Sequence, residues 1–271
     1  MKTASVVACV ASILLSAPVA SAQSVDSSES ELAKKLANPL ANLISVPLQS
    51  TWASGMGNDD ATGFIFKLQP LAPFELNGNW NLITRTVIPI MSQPALTAGG
   101  TPASGFGDIQ FSTFVSPARA GAISWGVGPI VSLPSTSAPS LGTQKWSAGP
   151  TAAAIIRSGA WTYGAVANQL WSFAGNSQRA DVSQMFVQPF VSYTTRNAVT
   201  VGTNLEATAN WNATGSRRWT TPLNVQVGKL ATFGPLPANY ALAYGRFVAK
   251  PDGGPSWQLR STVTFLLPTH R

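Results

Sequence analysis

The chain has one cysteine, one histidine and few charges, and each shortage removes a class of function. Cys9 is the only cysteine and falls inside an N-terminal leader. The rest of the chain therefore offers neither a disulfide nor a thiol nucleophile. The only histidine is His270, next to last. Lipases and proteases rely on a histidine general base beside a nucleophile or an activated water. A residue so near a terminus is poorly placed to hold that geometry, so the chain is expected not to be an enzyme. Zinc would lack its His and Cys ligands. Asn58, Asp59 and Asp60 could hold calcium, but so few ligands read better as a solvated turn. Gly126 and Gly128 sit in a strand pattern with no helix after them, so no phosphate-cradling loop is present. No cofactor and no metal are expected.

Charged residues make up only 10% of the chain and hydrophobic ones 45%. Even so, no stretch after the leader approaches the roughly 20 apolar residues of a membrane helix. Basic clusters are missing too: the densest pairs are Lys34-Lys35 and Arg217-Arg218. The net charge of +7 is therefore scattered, and a nucleic-acid partner is not expected.

What is present begins with export. Lys2 supplies a positive start, Val6 to Leu15 an apolar run, and Ala20-Ser21-Ala22 a small-residue cleavage site before Gln23. That run is too short to span a bilayer as a helix. Residues 1–22 are read as a signal peptide cleaved near Ala22. Residues 23–41 form a periplasmic helical segment: Ser28 and Glu31 have capping-box spacing, residues 32–37 continue the helix, and Asn38-Pro39 stops it. It is either a frayed leader or a small plug or docking helix.

From residue 42 to 268 the period changes to two. The clearest stretch is 198–211, where Val199, Val201, Leu205, Ala207, Ala209 and Trp211 alternate with Thr200, Gly202, Asn204, Glu206, Thr208 and Asn210; Thr203 is the polar exception. Such alternation puts apolar and polar side chains on opposite faces of a strand. Twelve strands are expected, over 43–53, 61–70, 77–92, 106–116, 122–133, 146–157, 161–173, 182–195, 198–211, 219–232, 239–249 and 256–267. Most have the length, about 9–11 residues, that crosses a membrane at a tilt.

The connections carry more information than the strands. After odd-numbered strands they are long or turn-rich (SGMGNDD, QPALTAGGTPASG, PSTSAPSLGTQK, AGNSQRA, NATGSRR, KPDGGP). After even-numbered ones they are mostly tight (SPARAG, SGA, RNA, FGPLP), with LAPFELNG the longest. Alternate turns of an up-and-down barrel lie on opposite sides of the membrane, short inside and long outside. The expected fold is therefore all-β, a transmembrane up-and-down antiparallel β-barrel of about twelve strands with a short N-terminal helix. Prolines 47, 89, 129, 150, 189 and 222 fall inside these strands and count against them, because proline removes a ladder donor.

Several segments resemble, as an ordered set, a known family: NPLANLISVPLQ at 38–49, GVGPIVSLP at 126–134, LGTQKWSAGP at 141–150, NQLWSFAG at 168–175, VQPFVSY at 187–193 and WQLRSTVTFLLP at 257–268. The family is that of Gram-negative outer-membrane proteins of the phenol meta-degradation pathway transporter type, often mislabelled neuromedin U. The resemblance covers nearly all of the chain after the leader. It implies an outer-membrane barrel with a role in uptake, and supplies no binding residues. The chain departs from common barrel proteins in running past Phe265 to His270 and Arg271 instead of ending on an aromatic.

A barrel assigns its polar face to the lumen, because Arg or Lys facing lipid at mid-membrane costs about 2–4 kcal/mol. The candidate lumen residues are Lys67, Arg85, Asp108, Glu206, Arg246 and Arg260, either setting a constriction or filling the interior with ion pairs. Trp80, Trp125, Trp146, Trp161, Trp171, Trp211, Trp219 and Trp257 fall near strand ends, where aromatic girdles would put them. The expected function is an outer-membrane channel for passive passage of small solutes, apolar or aromatic ones among them. Its partners would be outer-membrane lipid and the solute. The rivals are a structural or adhesive barrel with a closed lumen, and an exported soluble β-sandwich that binds carbohydrate through exposed Trp.

Overall fold

The computed structural model describes residues 23–57, 59–95, 100–119, 121–233 and 236–267, without the side chains of 23–27 and 233. The leader over 1–22, Asn58 and residues 268–271, which include His270, lie outside the described residues.

Helix α1 (Gln23–Leu36) precedes fifteen strand segments joined in one antiparallel sheet. Three pairs of consecutive segments continue one strand across a break of one or two residues, which leaves twelve strands. They are β1 (Ile44–Met56), β2 (Ala61–Leu68 and Leu71–Asn77), β3 (Trp80–Gln93), β4 (Ala103–Phe106 and Ile109–Pro117), β5 (Ile123–Leu133) and β6 (Lys145–Ser158). There follow β7 (Trp161–Gly175), β8 (Ser183–Thr194), β9 (Val199–Leu205 and Ala207–Asn210), β10 (Trp219–Phe233), β11 (Leu236–Ala249) and β12 (Trp257–Leu267). β12 pairs with β1 from Ile44↔Leu267 to Ser54↔Trp257, so the sheet closes and no edge is left to satisfy. A closed cylinder has no second sheet, and the sandwich reading is overturned.

The faces sort as the period of two requires. Val201, Val225, Leu242 and Phe173 are exposed on the outside, the last to 67%, while Asn204, Asn224, Gln258 and Thr264 are buried on the inside. That is the reverse of a water-soluble β protein and the arrangement of a barrel whose apolar belt meets hydrocarbon. Thr203, the polar exception on the outer face of β9, hides its hydroxyl by donating to the Asn224 carbonyl at 2.8 Å. All eight tryptophans expected at strand ends are there. Seven are exposed on the outer surface and Trp219 is half-buried against Trp211, with ring centres 6.0 Å apart. Trp80 packs edge-on against Trp125 at the same distance. A ninth, Trp52, joins them against Phe64.

Two boundaries move. Helix α1 begins at Gln23 rather than Ser28. LAPFELNG is strand through Asn77 rather than a connection, because the Asn77 side-chain carbonyl accepts from the backbone N–H groups of Asn79 and Trp80 and closes a tight turn. The sorting of connections thus becomes cleaner. Among the described residues the tight ones are 78–79, 159–160 and 195–198, and long ones such as 134–144 and 211–218 exceed them.

The prolines also have a role. Each of the three broken strands breaks beside a proline of its neighbour. Pro47, Pro89 and Pro222 give their carbonyls to the N–H groups of Gln69, Gly107 and Glu206, each at 3.0 Å, and have no N–H to return. Pro189 flanks the β9 break from the other side, where the β8 ladder skips Gln188 and Pro189. Pro129 and Pro150 face each other across β5 and β6.

Candidate functional site

The inward positions of β1, β2, β3, β8, β9 and β12 converge on one cavity of about 400 Å³. Its upper wall carries Lys67, Arg85, Glu206 and Arg260. Glu206 occupies the one-residue gap of β9, where its N–H bonds the Pro222 carbonyl and Pro222 has no N–H to return. Its carboxylate accepts from the two terminal guanidinium nitrogens of Arg260, at 2.7 and 2.9 Å, and from the Gln188 amide at 3.3 Å. The pair is nearly enclosed, with side chains 11% and 18% exposed. A second chain runs from Arg85 to the Gln69 carbonyl at 2.7 Å and from the Gln69 amide to Gln49 at 3.3 Å. Lys67 and Arg85 both lie within electrostatic reach of Glu206. Three cations and one carboxylate leave the ring with a net positive charge.

The floor of the cavity is the segment after α1. Helix α1 packs just inside the short-turn end: the Glu29 carboxylate accepts from the N–H and hydroxyl of Thr232, and Ser30 donates to the Thr195 carbonyl. Ala33 is buried against Ala198, Leu230 and Leu266. Pro39 ends the helical path because it disfavours helical geometry at Asn38, whose side chain then accepts from the Leu40 N–H at 2.9 Å. Leu40 is driven into an apolar cluster of Ile83, Phe114, Ala153, Ile155 and Val166 on the inner wall. Glu29, Ser30, Ala33 and Leu40 thus hold this segment against the inner wall.

At the long-loop end one connection folds back onto the barrel. Connection 134–144 folds in over β4 and buries Leu141; Arg179 donates to the carbonyls of Pro139 and Gly142. Asp108 belongs to this loop lock rather than to the ring. Its carboxylate accepts from the N–H and hydroxyl of Thr143 at 2.6 and 2.7 Å. Beside it, buried Lys145 donates to Asp181 at 3.0 Å. That hydrogen bond, then the charge of Lys145, holds the exposed Asp181 carboxyl below the usual aspartate range. A carboxyl shifted down stabilises the fold above its unfolded pKa, and loses that contribution as pH falls through its lower folded value. Thermal unfolding of Asp181→Asn is therefore expected to fall below wild type at neutral pH, with the gap closing in acid, below about pH 4. A gap that persists unchanged at the acid end would remove the charge from the explanation.

Of the six lumen residues expected, Lys67, Arg85, Glu206 and Arg260 share the cavity. Arg246 does not: it projects outward, because even positions of β11 form its exposed set. Strand eleven alternates poorly in sequence since Tyr240 and Tyr244 share that outer face with Leu236 and Leu242. What charge alone misses is the amide network, in which the Asn224 amide donates to Asn204 at 2.9 Å and the Gln258 amide to Asn224 at 2.6 Å. These residues stand on the polar side of the same alternation, which was signal enough to find them.

The shape has solved counterparts. An outer-membrane channel from Pseudomonas putida F1 superposes with a TM-score of 0.63 at 16% identity, over 83% of this chain and 94% of that one. The NanC porin does so with a TM-score of 0.52 at 9% identity, over 83% of this chain and 100% of its own. The chain shares the closed barrel fold of these two outer-membrane proteins. At such identities the likeness extends to the fold alone. No protein-family model matches the sequence, and no curated protein does. Inside this barrel Lys67, Arg85, Glu206 and Arg260 line a cavity bounded on one side by the segment after α1.

Proposed function

We propose that the protein is a non-enzymatic outer-membrane channel for passive diffusion of small organic solutes. In this reading the leader is removed near Ala22, the short turns and α1 face the periplasm, and the long connections face outward. The observation that carries it is the cavity of about 400 Å³, polar and charged, inside a cylinder whose outside is apolar. A barrel that served only as a membrane anchor would gain nothing from enclosing that space with unbalanced cations, which are costly to desolvate. Leu71, Val166, Phe186 and Phe190 line the same cavity, so apolar or aromatic solutes with an anionic group fit both of its walls. Residues 23–41 act as a plug that must yield for passage.

The second reading, a structural barrel with a closed lumen, draws on the seated Leu40 and the covering loop. Solute swelling of liposomes, with small aromatics and sugars as probes, separates the two. Faster entry of small solutes than in protein-free liposomes is expected. The absence of both flux and single-channel conductance in planar bilayers would leave the structural reading standing.

A further inference from the structure

Arg246 projects from the outer face of β11, three residues before the strand ends at Ala249. Its cross-strand neighbours are Leu223 and Trp257, and Tyr244 stacks on Trp257 with ring centres 6.2 Å apart. Further along the same face, towards the middle of the barrel, Val225 and Leu242 are 59% and 52% exposed. A guanidinium thus stands alone in the aromatic and aliphatic surface that a bilayer would cover. Among the described residues it has neither a hydrogen bond nor an ion pair. Above it, connection 211–218 carries Arg217, which is exposed, and Arg218, whose guanidinium lies 5.9 Å over the Trp211 ring. The Ser216 hydroxyl reaches Asp252 at 3.4 Å, so this connection and 250–256 meet over the same sector, with Asp252 their one acid.

An arginine facing lipid is expensive at mid-membrane and nearly free at the interface, where phosphate headgroups lie. Its planar fork matches a phosphate in two-point contact. A free anion would use the fork but gain nothing from Val225 and Leu242. A ligand that uses both must carry a phosphate and hydrocarbon chains.

We propose that the outer face of β10–β12 at the long-loop end binds the phosphorylated headgroup of a membrane lipid. Arg246 takes the phosphate, Arg217 and Arg218 flank the headgroup, and the chains lie along Val225 and Leu242. This rests on the barrel spanning a bilayer and is independent of whether the lumen conducts.

The test uses the full chain after leader removal, in phosphatidylcholine–detergent micelles, titrated with phosphatidylglycerol while the unfolding temperature is followed. Phosphatidylglycerol is expected to raise it. Arg246→Gln is expected to weaken the apparent lipid affinity about fivefold, the weight of one interfacial cation, while solute flux stays as in wild type. Arg246→Lys should keep most of the response. If Arg246→Gln does not assemble, Arg217→Gln with Arg218→Gln on the loop carries the same test, with a smaller loss expected. An undiminished response in these variants overturns the proposal. So does an equal rise with inorganic phosphate alone, which would make the arginines a simple ion site.

Discussion

Leu40→Ala is expected to unseat the plug and raise solute flux by more than any other single substitution in this barrel. Among the described residues, Leu40 is the only side chain of the segment after α1 in the Ile83–Phe114–Ile155 cluster. Truncating a buried leucine removes about 2–5 kcal/mol of packing. Applied to a seated–unseated equilibrium, even about 2 kcal/mol shifts it roughly thirtyfold, since each 1.4 kcal/mol is tenfold. The strands themselves lose only a contact at one end of their inner wall, so the heat-modifiable band of a folded barrel should persist. Conductance in planar bilayers and swelling of liposomes are the readouts. Gly126→Ala should push the same way, because a methyl there would stand 3.1 Å from a Leu40 methyl and from Phe114 Cβ. Wild-type flux in a folded Leu40→Ala barrel would mean that solutes pass beside the segment, or do not pass at all.

Most of the barrel can be read from the chain, because one physical demand acts on every strand. Hydrocarbon outside and polar groups inside impose a period of two, and the two sides of a membrane impose a parity on the loops. Nothing comparable acts on residues 37–43. Leu40 looks in sequence like any residue of a leader, and only the inward set of Ile83, Phe114 and Ile155 gives it a destination. Those three residues break the rule that inward means polar, and they do so where the plug sits. Arg246 fails for a related reason. Charge alone predicts an inward position, but near the end of a strand a charge is tolerated on either face, so burial cost no longer discriminates. The prolines show the reverse case. Read one strand at a time they are defects, and read against their neighbours they mark where Gln69, Asp108 and Glu206 leave the ladder.

Glu206→Gln is the second substitution with a large expected effect, and it separates stability from selectivity. The carboxylate neutralises Arg260 through two short bonds and lies within reach of Lys67 and Arg85. Removing its charge leaves three cations around one lumen. Breaking an enclosed pair by deleting one partner costs about 3–5 kcal/mol, and the open cavity beside it favours the lower end. Unfolding in denaturant should therefore shift sharply, and reversal potentials should move towards anion preference as the ring gains a positive charge. Adding Arg260→Gln restores the original net charge and lets two amides replace the ion pair. In that double variant much of the stability should return, and the selectivity should fall back to wild type. If selectivity follows the lost pair instead of the net charge, the ring acts by holding the wall in shape. In that case Lys67 and Arg85, although lining the same cavity, would not be sensed by the passing solute.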